Sequence, residues 1–203
     1  MARSGARQPW YRWLIVLCDR FYCARYGLDR AESQIGPALR VSVRRCRRRV
    51  ALADGAVIPR GDHIGVLHLN NDRVGGIHAE GRATAARGVE FRRQVLASLA
   101  ELARLAAAAG PLSHVGAFTA TTIFLGLRRL GFQPEPGSRG SILVAIYQRA
   151  LLVALHPAVS RRRPGHDRAE HLWMSREALL TRFGAPRPQI SRRIRVNARS
   201  VSE

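Results

Sequence analysis

The chain has 203 residues, 46% of them hydrophobic, which is enough for one buried core and too many for a disordered chain. Its basic residues are all arginine, and 34 of them against 14 acidic residues leave a formal charge of +20, a field that attracts nucleic acid, acidic lipid or anionic metabolites and that a GC-rich coding sequence also produces. Cys18, Cys23 and Cys46 form neither a disulfide framework nor a zinc spacing, and the apolar run 13–18 falls far below the ~18 residues that span a bilayer, so a cytoplasmic protein is expected rather than an exported or membrane-spanning one.

Trp10, Trp13, Leu14, Leu17 and Phe21 recur at helical spacing and predict a first helix that ends near Gly27 with its apolar stripe on the core. Arg12, Arg20 and Arg25 around that stripe also suit a helix lying on a membrane surface. From Arg40 the period falls to two, and a strand is expected through Val41, Val43 and the arginines to Leu52. Asp54-Gly55 sets a tight hairpin turn into a return strand over 56–58, stopped by Pro59-Arg60-Gly61, and a third strand follows over 62–70. A glycine-punctuated loop, 72–88, leads into the longest helix, about 90–109, whose stripe of Phe91, Val95, Leu99, Leu102 and Ala106 is expected to lie on the sheet.

A strand over 115–118 should precede a helix carrying Ile123, Phe124, Leu127 and Leu130, capped by Thr119 or Thr121 and ended by Gly131. The apolar run 142–155 reads as either strand or helix, and its length and β-branched start favour a strand followed by extended chain. Residues 161–167 read as an exposed linker, 172–174 as a buried strand with Trp173 in the core, and Ser175 as the cap of a short helix ending at Gly184. Residues 185–203 read as a basic, disordered tail. The expected fold class is α/β (α+β): a single domain over 1–184, with a mixed sheet that begins as an antiparallel three-stranded meander and helices packed on it.

Along 62–71 the period of two puts Asp62, Ile64, Val66, His68 and Asn70 on one strand face and His63, Leu67 and Asn71 on the other. His68, Asn70, Asn71, Asp62 and the loop glycine Gly76 are the candidate ligand-binding residues, because strand ends that open into loops are where sheets hold ligands. A neutral imidazole beside an amide orients a carbonyl or phosphate, or acts as a base. The same residues have structural uses, His as a hydrogen-bonder and Asn as a turn former. His63 and His68 fall on opposite faces, so no metal site is expected without a bulge at Gly65. No nucleophile motif appears, and the catalytic residues are left unassigned. Arg44, Arg45, Arg47, Arg48 and Arg49 suit contact with nucleic acid or an acidic membrane surface, and suit a protected edge strand as well.

This order of elements resembles the core of the GNAT-type acyltransferases, and ATTIFLGLRRLGFQ at 120–133 is similar to that fold's penultimate helix and the Gly-Phe turn behind it. The resemblance implies an acyltransferase-like activity with acyl-CoA as cofactor. In that family an Arg/Gln-x-x-Gly-x-Gly/Ala loop cradles the pyrophosphate; RVGGIH at 73–78 departs from it, with His78 where a small residue is required. A closer resemblance is carried by DGAVIPRGDHIGVLHLNN (54–71), SLAELARLAAA (98–108), GLRRLGF (126–132) and LWMSREALLTRFG (172–184). These segments resemble the YkoP-like domain of bacteria, which occurs alone or beside polysaccharide deacetylase domains. That likeness implies a small-ligand-binding or degenerate acyltransferase-like module linked to envelope polysaccharide metabolism. The other reading is an arginine-rich electrostatic adaptor.

Overall fold

The computed structural model describes residues 12–74, 84–123, 126–155 and 168–184. Helix α1 (Arg12–Arg25) leads through one tight helical turn (Ala31–Ser33) into β1 (Gln34–Ile35) and β2 (Leu39–Arg45). Two short strands, β3 (Val50–Ala51) and β4 (Val57–Ile58), precede β5 (His63–Leu69), which is followed by α2 (Thr84–Ala107) and β6 (Ala117–Thr122). Then come α3 (Gly126–Arg129), β7 (Gln133–Pro134), α4 (Ile142–Leu155), β8 (Glu170–Ser175) and α5 (Arg176–Phe183). One mixed sheet has the order β1-β2-β5-β6-β8-β7 and is antiparallel except between β5 and β6.

Cross-strand register assigns each sheet residue to a face. On one face Val41, Leu67, Phe118, Leu172 and Met174 meet Val95, Leu99, Leu102 and Ala106 of α2 and Leu179 of α5, which together form the main core. Helical spacing gathers the α2 residues into one stripe, and burying each large side chain contributes ~1.5–3 kcal/mol. Gly65 lies on this face too, where a Cβ would stand 2.5 Å from the Phe118 ring, so the absence of a side chain lets that ring cross the β5 backbone.

The opposite face carries Arg40, Ser42 and Arg44 of β2, Ile64, Val66 and His68 of β5, Thr119 and Thr121 of β6, and His171 and Trp173 of β8. The β3/β4 hairpin closes one end of it, packing Val50, Leu52 and Ile58 on Ile64, Ala117 and Trp173. Helices α1 and α4 pack against each other over the other end.

Several expectations change. Residues 142–155 are helix, not strand: Ser141 Oγ accepts from the Val144 N–H at 3.3 Å to start it, and Ala145 and Leu152 are buried on its inner side. A segment whose only strongly polar residues are Gln148 and Arg149 has little period to betray it. The strand from Arg40 ends at Arg45, and the Asp54-Gly55 hairpin forms a separate two-stranded sheet, so the antiparallel lead of the main sheet is β1, β2 and β5. Thr119 and Thr121 lie inside β6 rather than capping a helix, and the helix that follows is only the four-residue α3. Trp13, Leu17 and Phe21 of α1 face solvent, not the core. Trp10, Phe124, Gly75, Gly76, Gly81, the linker 161–167 and the tail 185–203 lie outside the described residues.

Candidate functional site

Strands β5 and β6 pair at three positions, Ile64 with Ala117, Gly65 with Phe118 and Val66 with Thr119. Beyond these, β5 continues beside β2 to Leu69 and β6 continues beside β8 to Thr122, so the parallel strands part over their C-terminal halves. Carboxyl ends of strands in open sheets are where ligands are commonly held. Gln148 of α4 reaches the parting, accepting from the Ile123 N–H at 2.9 Å and donating to the Thr121 carbonyl at 2.6 Å.

His68 stands at this end of β5, directly across from Arg40, with its Nε2 at 3.2 Å from Ser42 Oγ and its ring edge-on to Tyr22 at 5.7 Å. Burial, reinforced by the charges of Arg44 and Arg40, lowers its pKa from 6.5 to about 4, so the imidazole is neutral at neutral pH. Its Nδ1 has no hydrogen-bond partner among the described residues.

Arg40 is buried, donating to Asp72 at 2.8 Å and to Cys23 Sγ at 3.3 Å and pairing with Asp29 at 3.6 Å, yet among the described residues its Nε has no acceptor. Arg44 lays its guanidinium on Tyr26, 4.0 Å from the ring centroid, and among the described residues its buried Nη2 has no acceptor either. Burial raises the Tyr22 pKa, and the Arg44 guanidinium beside its hydroxyl opposes the rise. Arg40, already paired with Asp72 and Asp29, and Arg44 thus flank a neutral imidazole beneath α1, each with one donor unmet among the described residues.

The other sequence-predicted residues are dispersed. Asn70 is buried; its N–H donates to the Ala38 carbonyl at 2.8 Å and its Oδ1 accepts from the Arg73 N–H at 3.4 Å, which caps the turn after β5. Asn71 donates to Asp19 at 3.4 Å and ties that turn to α1. Asp62 is exposed and precedes β5 at the end far from His68. Gly76 lies outside the described residues. His63, also at the far end, packs edge-on against His114 at 4.6 Å, and the unbroken β2/β5 register leaves no bulge at Gly65.

A second polar cluster on the same face had no counterpart in the sequence reading. Thr119 Oγ1 donates to the Leu172 carbonyl at 2.9 Å and lies 2.7 Å from His171 Nε2. His171 Nδ1 lies 2.9 Å from Glu135, whose buried carboxylate also pairs with Arg48. Hydroxyl, imidazole and carboxylate in series resemble a nucleophile triad, but Thr119 is buried and its one proton is committed to Leu172. Both His171 nitrogens are engaged, so the cluster joins β6, β7 and β8 rather than offering a free base. It walls an open cleft of about 370 Å³ between Arg128, Ser138, Arg168 and His171.

Arg40, Ser42 and Arg44 were legible in principle, as polar residues alternating with Val41 and Val43 on one strand. The His171–Glu135 contact depends on long-range register and leaves no local signal. Among the 44–49 arginines, Arg45 donates to the Gly61 carbonyl at 3.2 Å, while Arg44 and Arg48 are engaged with Tyr26 and Glu135, so the run is not one continuous basic stripe.

No curated protein and no solved structure matches the chain. A family model described as the YkoP domain matches residues 8–183, most of its length, and the chain therefore belongs to the YkoP domain family.

Proposed function

We propose that this domain is a small-molecule-binding module whose ligand seats an anionic group, carboxylate or phosphate, on Arg40, Arg44 and His68. The observation that carries the reading is the pair of buried guanidinium donors, Arg40 Nε and Arg44 Nη2, which have no partner among the described residues, beside an uncharged imidazole whose Nδ1 has none there either. Each unmet buried donor costs ~1–3 kcal/mol, which an anionic oxygen recovers on binding. The parting of β5 from β6 supports an acyltransferase-like version of this reading, since the GNAT-type fold requires a splayed pair of parallel strands at this place. Acyl-CoA and phosphate-bearing envelope precursors are accordingly the ligand classes proposed. An electrostatic adaptor has less support, because three of the five arginines between 44 and 49 are engaged within the fold.

The test is thermal unfolding and calorimetry of the full chain with coenzyme A, acetyl-coenzyme A, a nucleotide-linked sugar and inorganic phosphate. At a ligand concentration of 100 Kd the native state should gain ~2.7 kcal/mol. Arg44→Met keeps the apolar stem over Tyr26 but removes the donors, and should weaken binding at least about tenfold with the circular dichroism spectrum unchanged. Equal affinity in Arg44→Met, or no stabilisation by any of these anions, contradicts the reading.

A further inference from the structure

The outer faces of α1 and α4 are unusual for a surface. On α1, Trp13, Leu17 and Phe21 follow one another at four-residue intervals and point outward, Phe21 with 72% of its surface exposed. On α4, Ile142, Leu143 and Ile146 are likewise exposed, Leu143 at 80%. The two helices pack side by side, which sets these exposed residues on neighbouring helices. Scattered apolar residues are ordinary on a protein exterior, whereas a contiguous patch of this kind marks an interaction site.

Charge decides what the patch meets. On the α1 helical wheel the exposed Arg20 falls on one side of the apolar row and Arg25 on the other, as in helices that lie in a bilayer interface with cationic side chains reaching up to the headgroups. Helix α4 contains no acidic residue, and the one acid of α1, Asp19, is turned inward toward Asn71. No helix among the described residues is long and apolar enough to cross a membrane. A second copy of a chain carrying +20 would bring arginine rim against arginine rim, while an anionic surface complements it.

We propose that the joint outer face of α1 and α4 docks onto an anionic lipid bilayer, lying in the interface without crossing it. The anion seat at Arg40, Arg44 and His68 is a separate feature, and neither proposal needs the other. Sedimentation of the full chain with vesicles tests the docking, comparing phosphatidylglycerol-containing with pure phosphatidylcholine vesicles. Binding should require the anionic lipid and weaken with salt. A Leu17→Ser, Phe21→Ser, Leu143→Ser variant keeps every charge and should bind about tenfold or more weakly. Fluorescence supplies a second readout: brominated lipid should quench wild type more than a Trp13→Phe variant. Undiminished binding by the triple variant would show that charge alone drives association, and would overturn the proposal. So would light scattering that shows a dimer of wild type which the same substitutions dissolve.

Discussion

His68 is held neutral by burial first and by the adjoining Arg44 and Arg40 charges second. Its native pKa, about 4, lies below the 6.5 of an exposed histidine, so between those values the unfolded chain takes up a proton that the native state refuses. The stabilisation is therefore complete above pH 6.5 and lost as pH falls toward 4, by up to ~3 kcal/mol. Urea unfolding at a series of pH values should show this loss, and His68→Gln should flatten the curve across that window. A variant curve parallel to wild type would mean that the His68 environment is not as described. The strand-face assignment of His68 was legible from the period of two. Its partners were less so: Arg40 sits opposite it only because β2 and β5 pair in one register, and Tyr22 reaches it from a helix 46 positions earlier in the chain.

Elements with a strong period or a capping residue were readable: β5, the stripe of α2, and α5 behind Ser175, whose Oγ accepts from the Ala178 N–H at 3.1 Å. Helix α4 was not, because apolar residues on nearly every side, broken only by Gln148 and Arg149, blur the contrast on which periodicity depends. The Asp54-Gly55 turn was correct as a turn, yet which sheet its hairpin joins is fixed by distant partners such as Trp173. At this scale Gly65 is the sensitive point, since the Phe118 ring occupies the place a Cβ there would take, where β5 pairs with β6. Gly65→Ala should destabilise the domain by ~1–3 kcal/mol in denaturant unfolding, and adding Phe118→Leu should recover part of the loss. Wild-type stability in the single variant would contradict this packing.

For the molecule as a whole, the order of periodic segments indicated an α/β class, which the mixed sheet and its helices bear out, and the family likeness read from four segments agrees with the YkoP domain match over 8–183. Composition also gave a large positive charge but not its arrangement. Folding brings Arg40 and Arg44 inward beside His68, engages Arg45 and Arg48 with other parts of the fold, and leaves Arg20 and Arg25 beside an apolar face. The domain is thus proposed to have a buried anion seat on one side of α1 and a lipid-facing surface on the other. The seat is tested most directly by nitrogen-resolved NMR of the imidazole side chains during a pH titration, with and without coenzyme A or phosphate. A bound anion offsets the two guanidinium charges, so the His68 midpoint should rise from about 4 toward 6.5 and its free nitrogen should shift. A His68 resonance unmoved by either anion at concentrations on the order of 1000-fold above the protein would contradict an anion seat at this site.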